Sequence, residues 1–156
     1  MNFYLQLLHI CNIIRIEVRM NNKDAFKLLK NMLGDVDIHT DCLKEIADLL
    51  KKDLKGKEQQ FLNVLSAQLN NIKQFGVKVS DIDGNEILRG LDGHYYSIHL
   101  KKTQFNIRLL VYIFDDGSYY LLSAFYERSG KNATSYSKYI KLLPGRLEDM
   151  EELENE

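Results

Sequence analysis

Apolar residues change their spacing twice along this chain. Ile14, Ile16 and Val18 alternate with Arg15, Glu17 and Arg19, the period of a strand with one face buried. From Asn22 the spacing becomes helical. Phe26, Leu28, Leu29, Met32 and Leu33 form one stripe, with Asn22 or Asp24 as candidate caps and Gly34 as its stop. Leu43, Ile46, Ala47, Leu49 and Leu50 form a second stripe behind Thr40 or Asp41, broken at Lys55-Gly56. Phe61, Leu62, Val64, Leu65, Leu69 and Ile72 form a third, between about Lys57 and Phe75. Stripes of this width are the faces that helices turn toward a core.

Period two returns after Gly76. Residues 76–84 predict a short extended piece that ends in an Asp-Gly turn. Residues 88–102, 105–114 and 119–128 are then β-rich, and Asp115-Asp116-Gly117-Ser118 joins the last two as a hairpin. They predict an antiparallel sheet in that order, with the helices of residues 22–75 on one face. In the middle run Ile107, Leu109, Val111 and Ile113 fall to one side and Arg108, Leu110, Tyr112 and Phe114 to the other. Both sets are oily, so this strand is expected at the centre, with Arg108 near an open end. Thr134 or Ser135 can cap a helix through Tyr136, Tyr139, Ile140 and Leu143, which Pro144-Gly145 should interrupt. The fold class expected is α+β: an N-terminal strand and helices, an antiparallel β-meander, then a C-terminal helix.

Composition narrows this further. With 156 residues, 45% of them hydrophobic, the chain suits one domain over 1–156 with 1–19 as an extension or first strand. One proline and 28% charged residues argue against disorder. Cys11 and Cys42 lie far apart without metal-ligand spacing, which suits reduced thiols in the cytoplasm. The oily stretch from Phe3 to Ile10 is too short to span a bilayer, and no basic region or small-residue cleavage site accompanies it. No membrane partner is expected, and Met20 is a second candidate start. The net charge of −1 hides an asymmetry: residues 88–146 carry nine Lys/Arg against four Asp/Glu, whereas residues 147–156 carry six acids and no base. That tail is expected to be mobile or an exposed helix end, and the stronger expectation is that it folds over the basic face.

The chemistry on offer is metal-free. His94 and His99 have no third ligand at metal spacing, and no Gly-rich phosphate loop, Gly-x-Ser-x-Gly elbow or Cys/His pair appears. No metal and no cofactor is expected. What remains is His99, Lys101, Lys102, Arg108, Arg128, Lys131, Tyr136 and Tyr139, on what the alternation suggests is a cationic, hydroxyl-rich sheet face. RNA cleavage suits such a set, because the 2′-hydroxyl supplies the nucleophile while the protein moves protons and stabilises charge. The same residues also suit the solvated face of a half-buried sheet, and composition alone leaves both readings open.

Leu88-x-x-Leu91-Asp-Gly, Tyr96-Ser-Ile-His-Leu, Asn106-Ile-Arg108, Tyr112-Ile-Phe-Asp-Asp-Gly117 and Leu121-Leu-x-x-Phe125-Tyr-Glu-Arg-x-Gly-Lys131 follow one another. Together they resemble the RelE/HigB/ParE superfamily of toxins from type II toxin–antitoxin systems, over roughly residues 85–140. The resemblance implies a RelE-like fold and a ribosome-dependent mRNA endonuclease whose partners are a cognate antitoxin, the ribosome and mRNA. It implies that His99, Arg108, Arg128, Lys131 and Tyr136 are catalytic, and that Lys101, Lys102 and Tyr139 contact RNA. The arginines would hold the scissile phosphate, with His99 or Tyr136 assisting the proton. The chain departs from the family's Tyr-Glu-Leu-Arg strand, with Ser97 and His99 in place of Glu and Arg. Tyr126-Glu127-Arg128 stands where a basic pair usually follows Phe. A non-enzymatic toxin that binds DNA gyrase, or an inactive relative that only pairs with its antitoxin, are the alternatives. The titratable His, Tyr and Lys groups favour the nuclease.

Overall fold

The computed structural model describes residues 21–156. The helices are α1 (Asn22–Met32), α2 (Thr40–Lys51), α3 (Glu58–Phe75), α4 (Tyr136–Ile140) and α5 (Leu143–Glu154). The strands are β1 (Asp37–Ile38), β2 (Glu86–Ile87), β3 (Tyr95–Lys102), β4 (Phe105–Ile113) and β5 (Tyr119–Tyr126). The α+β class holds. The alternating stretch from Ile14 to Val18 lies outside the described residues.

Local chemistry sets the helix ends, in three places against expectation. Asn21, not Asn22 or Asp24, caps α1, its Oδ1 accepting the Asp24 N–H at 2.9 Å. At α2 the cap is His39 and not Thr40 or Asp41: its Nδ1 accepts the Asp41 N–H at 3.1 Å. An unprotonated imidazole nitrogen does there what a serine hydroxyl does elsewhere. Pro144 starts α5 instead of breaking a helix, because in the first turn its missing N–H would have had no partner. Residues 76–81 form a 3₁₀ turn, not the extended piece expected.

The sheet runs β1-β5-β4-β3-β2. β3, β4 and β5 form the antiparallel meander, and β4 is central as the two oily sets of residues require. The sheet as a whole is mixed, because β1 pairs parallel to β5 through Asp37–Tyr120 and Ile38–Leu121. That corrects the all-antiparallel expectation. The first of the three long strands is also shorter than expected: it begins at Tyr95, behind a loop in which Asp92 Oδ1 accepts the His94 N–H.

Each face of β4 has its own apolar cluster. Ile107, Leu109, Val111 and Ile113 pack with Leu29, Ile46, Phe61, Leu65 and Ile72 from α1, α2 and α3. On the other face Leu110 packs with Tyr95, Tyr120, Leu122, Phe125, Leu143 and Met150, the last two from α5. This second face is therefore oily over most of its length and partly covered by helix, not the cationic surface that summed charge suggested. Its polar groups gather at the end near His99, Arg108 and Glu127. The acidic segment from Leu147 onward is mostly an exposed helix end, although Met150 is buried and Asp149 Oδ2 lies 3.0 Å from His39 Nε2. Its contacts lie at the Tyr120 end of β5, away from Glu127.

β1 covers only the start of β5, so the remaining edge needs other partners. Glu45 of α2 supplies one: its Oε2 accepts the Ala124 N–H at 2.9 Å and the Ser123 hydroxyl at 3.0 Å. Arg146 of α5 supplies the other, donating from Nη1 to the Leu122 carbonyl at 2.8 Å while its Nη2 lies 2.7 Å from Glu45 Oε1. Among the described residues, no helix is long and apolar enough to cross a membrane.

Candidate active site

His99 and Arg108 are direct partners across β3 and β4, so their side chains leave the same face of the sheet. Asn106 lies two residues before Arg108 and shares that face. Glu127 follows β5, its N–H bonded to the Asn106 carbonyl at 2.8 Å. Three side chains from β3 and β4 are thereby set around one carboxylate just past the end of β5.

That carboxylate is a hub. Arg108 Nε donates to Glu127 Oε2 at 2.8 Å, and the Tyr136 hydroxyl donates to Oε1 at 3.0 Å. His99 Nε2 lies 4.0 Å from Oε2 and donates to Asn106 Oδ1. The orientation of the Asn106 amide follows from its Nδ2, which donates to the Glu127 carbonyl, so the imidazole proton sits on Nε2. Burial pulls the Glu127 pKa up. The hydrogen bonds from Arg108 and Tyr136 and the positive charges of Arg108 and His99 more than offset this, leaving it below the usual glutamate range. At neutral pH Glu127 is ionised. Burial pushes the Tyr136 phenol up to about 12, against the opposing pull of Ser97 and Arg108 and with Glu127 adding to the rise.

Several groups hold these side chains in place. Asn85 Oδ1 accepts the His99 N–H at 2.8 Å and Gln68 Nε2 donates to the His99 carbonyl at 3.0 Å, which closes the part of β3 that β2 does not reach. Gly84 accepts from Arg108 Nη1 at 2.7 Å through its carbonyl. With φ of +89°, a Cβ there would lie 2.9 Å from His99 Nδ1, so only glycine fits. Tyr136 meets Phe125 edge-on at 5.2 Å, and Phe125 stacks on Tyr139 at 4.0 Å.

Since the folded pKa of Glu127 lies below its unfolded value, its contribution to stability is present above the ordinary glutamate range and lost as pH falls through the folded value. Melting temperatures followed from about pH 5 to pH 3 should fall more steeply for the wild type than for Glu127→Gln. Equal slopes would show that Glu127 is not held as an ion.

Two grooves flank the cluster. One, of about 640 Å³, is lined by His99, Arg108, Lys101 and Lys102 together with Gln68 and Asn71 of α3. The other, of about 460 Å³, lies between α2 and the end of β5 and contains Arg128 and Tyr139. There Arg128 Nη2 donates to Asp53 Oδ1 at 2.8 Å, and its guanidinium lies 4.8 Å over the Tyr126 ring. Lys131 is exposed on the 3₁₀ turn Gly130–Asn132. Of the eight residues singled out in the sequence, then, His99, Arg108 and Tyr136 come together and Lys101 and Lys102 flank them. Arg128, Tyr139 and Lys131 stand apart. Glu127, Asn106 and Gly84 were not singled out; the spacing of Asn106, Arg108 and the Phe125–Glu127 pair on one face of the hairpin is the signal that points to them.

This separation makes a test. Arg108→Ala should remove any phosphate chemistry at the cluster, whereas Arg128→Ala should lower it only a few-fold, since an exposed ion pair contributes about 0–1 kcal/mol. Equal losses in a cleavage assay would bring Arg128 back into the reaction. Compared with models of known protein families, with curated proteins and with solved structures, the chain has no significant match.

Proposed function

We propose that this chain is a RelE/HigB-like toxin that cuts messenger RNA on the ribosome without a metal and is neutralised by a cognate antitoxin in the cytoplasm. The observation that carries the reading is the ionised Glu127, which holds Arg108 and Tyr136 at the end of a groove bearing Lys101 and Lys102. The element order supports it too: β1, the helix pair α2 and α3, the meander β3–β5 and the closing helices follow the order of the family that the sequence resembles.

In this reading the lysines and Arg108 hold the phosphodiester. Arg108 spends Nε on Glu127 and Nη1 on Gly84, and Nη2 has no protein partner among the described residues. Each Glu127 oxygen accepts one hydrogen bond from these side chains and keeps a second lone pair. Glu127 is thus the base that takes the 2′-hydroxyl proton. His99, whose Nε2 proton is committed to Asn106, fixes the Asn106 amide beside the carboxylate. DNA, lacking the 2′-hydroxyl, is not a substrate.

The test is expression of the chain alone in a bacterial cell, with transcript ends mapped. Growth should slow and translated messages should be cut, and a coexpressed antitoxin should reverse both. A harmless chain that leaves messages intact in the presence of ribosomes would instead favour the gyrase-binding or antitoxin-pairing reading.

A further inference from the structure

The outer face of α3 is unlike that of the other long helices. Of its 18 residues only Glu58 and Lys73 are charged, and Glu58 is buried. By contrast α1 carries four charges in 11 residues, α2 five in 12 and α5 six in 12. A helix on a protein surface normally turns charges to solvent. With Phe61, Leu62, Leu65, Leu69 and Ile72 buried in the core, the exposed crest of α3 is Gln60, Asn63, Ala67, Asn70 and Gln74. These residues stand three and four apart in turn, the spacing at which one helix meets another along a seam. A face that loses its charges and keeps its hydrogen-bonding groups has the character of the middle of a protein interface.

The order of the residues says what covers the crest. From Ala67 it reads alike in both directions: asparagine four before and three after, glutamine seven before and seven after. A neutral crest gives an ion or a phosphate chain no opposite charge to meet. A carboxamide holds both donor and acceptor, so it pairs with a copy of itself. We infer that two copies of this chain associate through α3, antiparallel, about a two-fold axis at Ala67. Asn63 then faces the partner's Asn70, and Gln60 faces the partner's Gln74, as a self-complementary contact requires. The short Ala67 side chain lets the helix axes approach to about 8 Å at the crossing. Phe75, 45% exposed beside the end of the crest, gains cover from the start of the partner's α3. The pairing does not depend on the nuclease reading, yet it bears on the same groove, because Ala67 also lines the one that holds His99, Lys101, Lys102 and Arg108. The axis stands perpendicular to the helix pair, so both grooves open on one face of the dimer and the partner's α3 borders each.

Sedimentation of the full chain over a range of concentrations tests this. A seam of carboxamides holds less tightly than an apolar one, so the chain should pass from monomer to dimer at a concentration on the order of 10 μM. Asn63→Glu with Asn70→Glu in one chain sets like charges opposite each other twice, and should weaken association about a hundredfold or more. Asn63→Glu with Asn70→Lys sets opposite charges there instead, and should associate within a few-fold of wild type. In a parallel pair each position would meet itself, and both double variants would fail alike. Both should melt within a few degrees of wild type, since the two positions are exposed and away from the core. A wild type still monomeric at about 200 μM, far above the expected midpoint, overturns the inference. So do two double variants that are both monomeric, or two that both associate as wild type does. None of these outcomes touches the nuclease reading, which stands or falls on cleavage.

Discussion

Glu127→Gln should lose cleavage by a factor of about 10² to 10⁴ while keeping its fold, the range that removal of a positioned proton-transfer group covers. The substitution preserves shape. A glutamine oxygen still accepts from Tyr136 or from Arg108, which hold the carboxylate at 3.0 Å and 2.8 Å. It lacks the charge and the basicity that take a proton. Arg108 then faces a neutral amide, so phosphate binding should hold or tighten even as turnover disappears. Measured in single turnovers on programmed ribosomes, the rate should fall without a rise in the concentration of complex needed for half-saturation. His99→Ala should cost less, because its Nε2 proton is spent on Asn106 and it lies 4.0 Å from the carboxylate. If Glu127→Gln keeps full toxicity, the base has been misassigned and His99 is the next group to test.

Much of the fold was legible because it depends on period. The alternation through Ile107–Phe114 gave both faces of β4, and the helical stripes gave the side of the sheet on which α1–α3 pack. What escaped depends on parity and pairing. Glu127 and Arg128 are neighbours in sequence but point into different places, one to Arg108 and the other to Asp53. Reading them as part of one basic cluster therefore chose the wrong neighbour of the two to emphasise. Whether a residue beyond the end of β5 meets Arg108 is fixed by register, and β4 and β5 slip at Leu110/Val111, which no count of charges shows. β1 has only two residues, too few for any periodicity. Its pairing with β5 rests on where the following helix carries the chain. His39 as a cap was missed because hydroxyls and carboxamides are the usual cap acceptors, and an imidazole serves only in its neutral form. The cationic face failed for a related reason: a segment's net charge does not say on which side of the strand its charges stand.

Glu45→Ala should destabilise the protein by about 3 kcal/mol or more, the cost of leaving one member of a largely buried ion pair alone. Glu45 does three jobs at once. It accepts the Ala124 N–H and the Ser123 hydroxyl at the open edge of β5, and it faces Arg146 at 2.7 Å. Without it the edge N–H and the Ser123 hydroxyl lose their acceptor, and an Arg146 side chain only 11% exposed keeps its charge with no partner. Arg146 also ties α5 to the Leu122 carbonyl, so the loss should loosen both α2 and α5 from β5. For a chain of this size the shift in melting temperature should be about 10 °C. The double change Glu45→Met with Arg146→Met should cost less than the single one, since no unpaired charge is left and the methionines can fill the space. A single variant that melts like the wild type, or a double variant worse than the sum of the two singles, would show that the edge of β5 is held by packing and not by this pair.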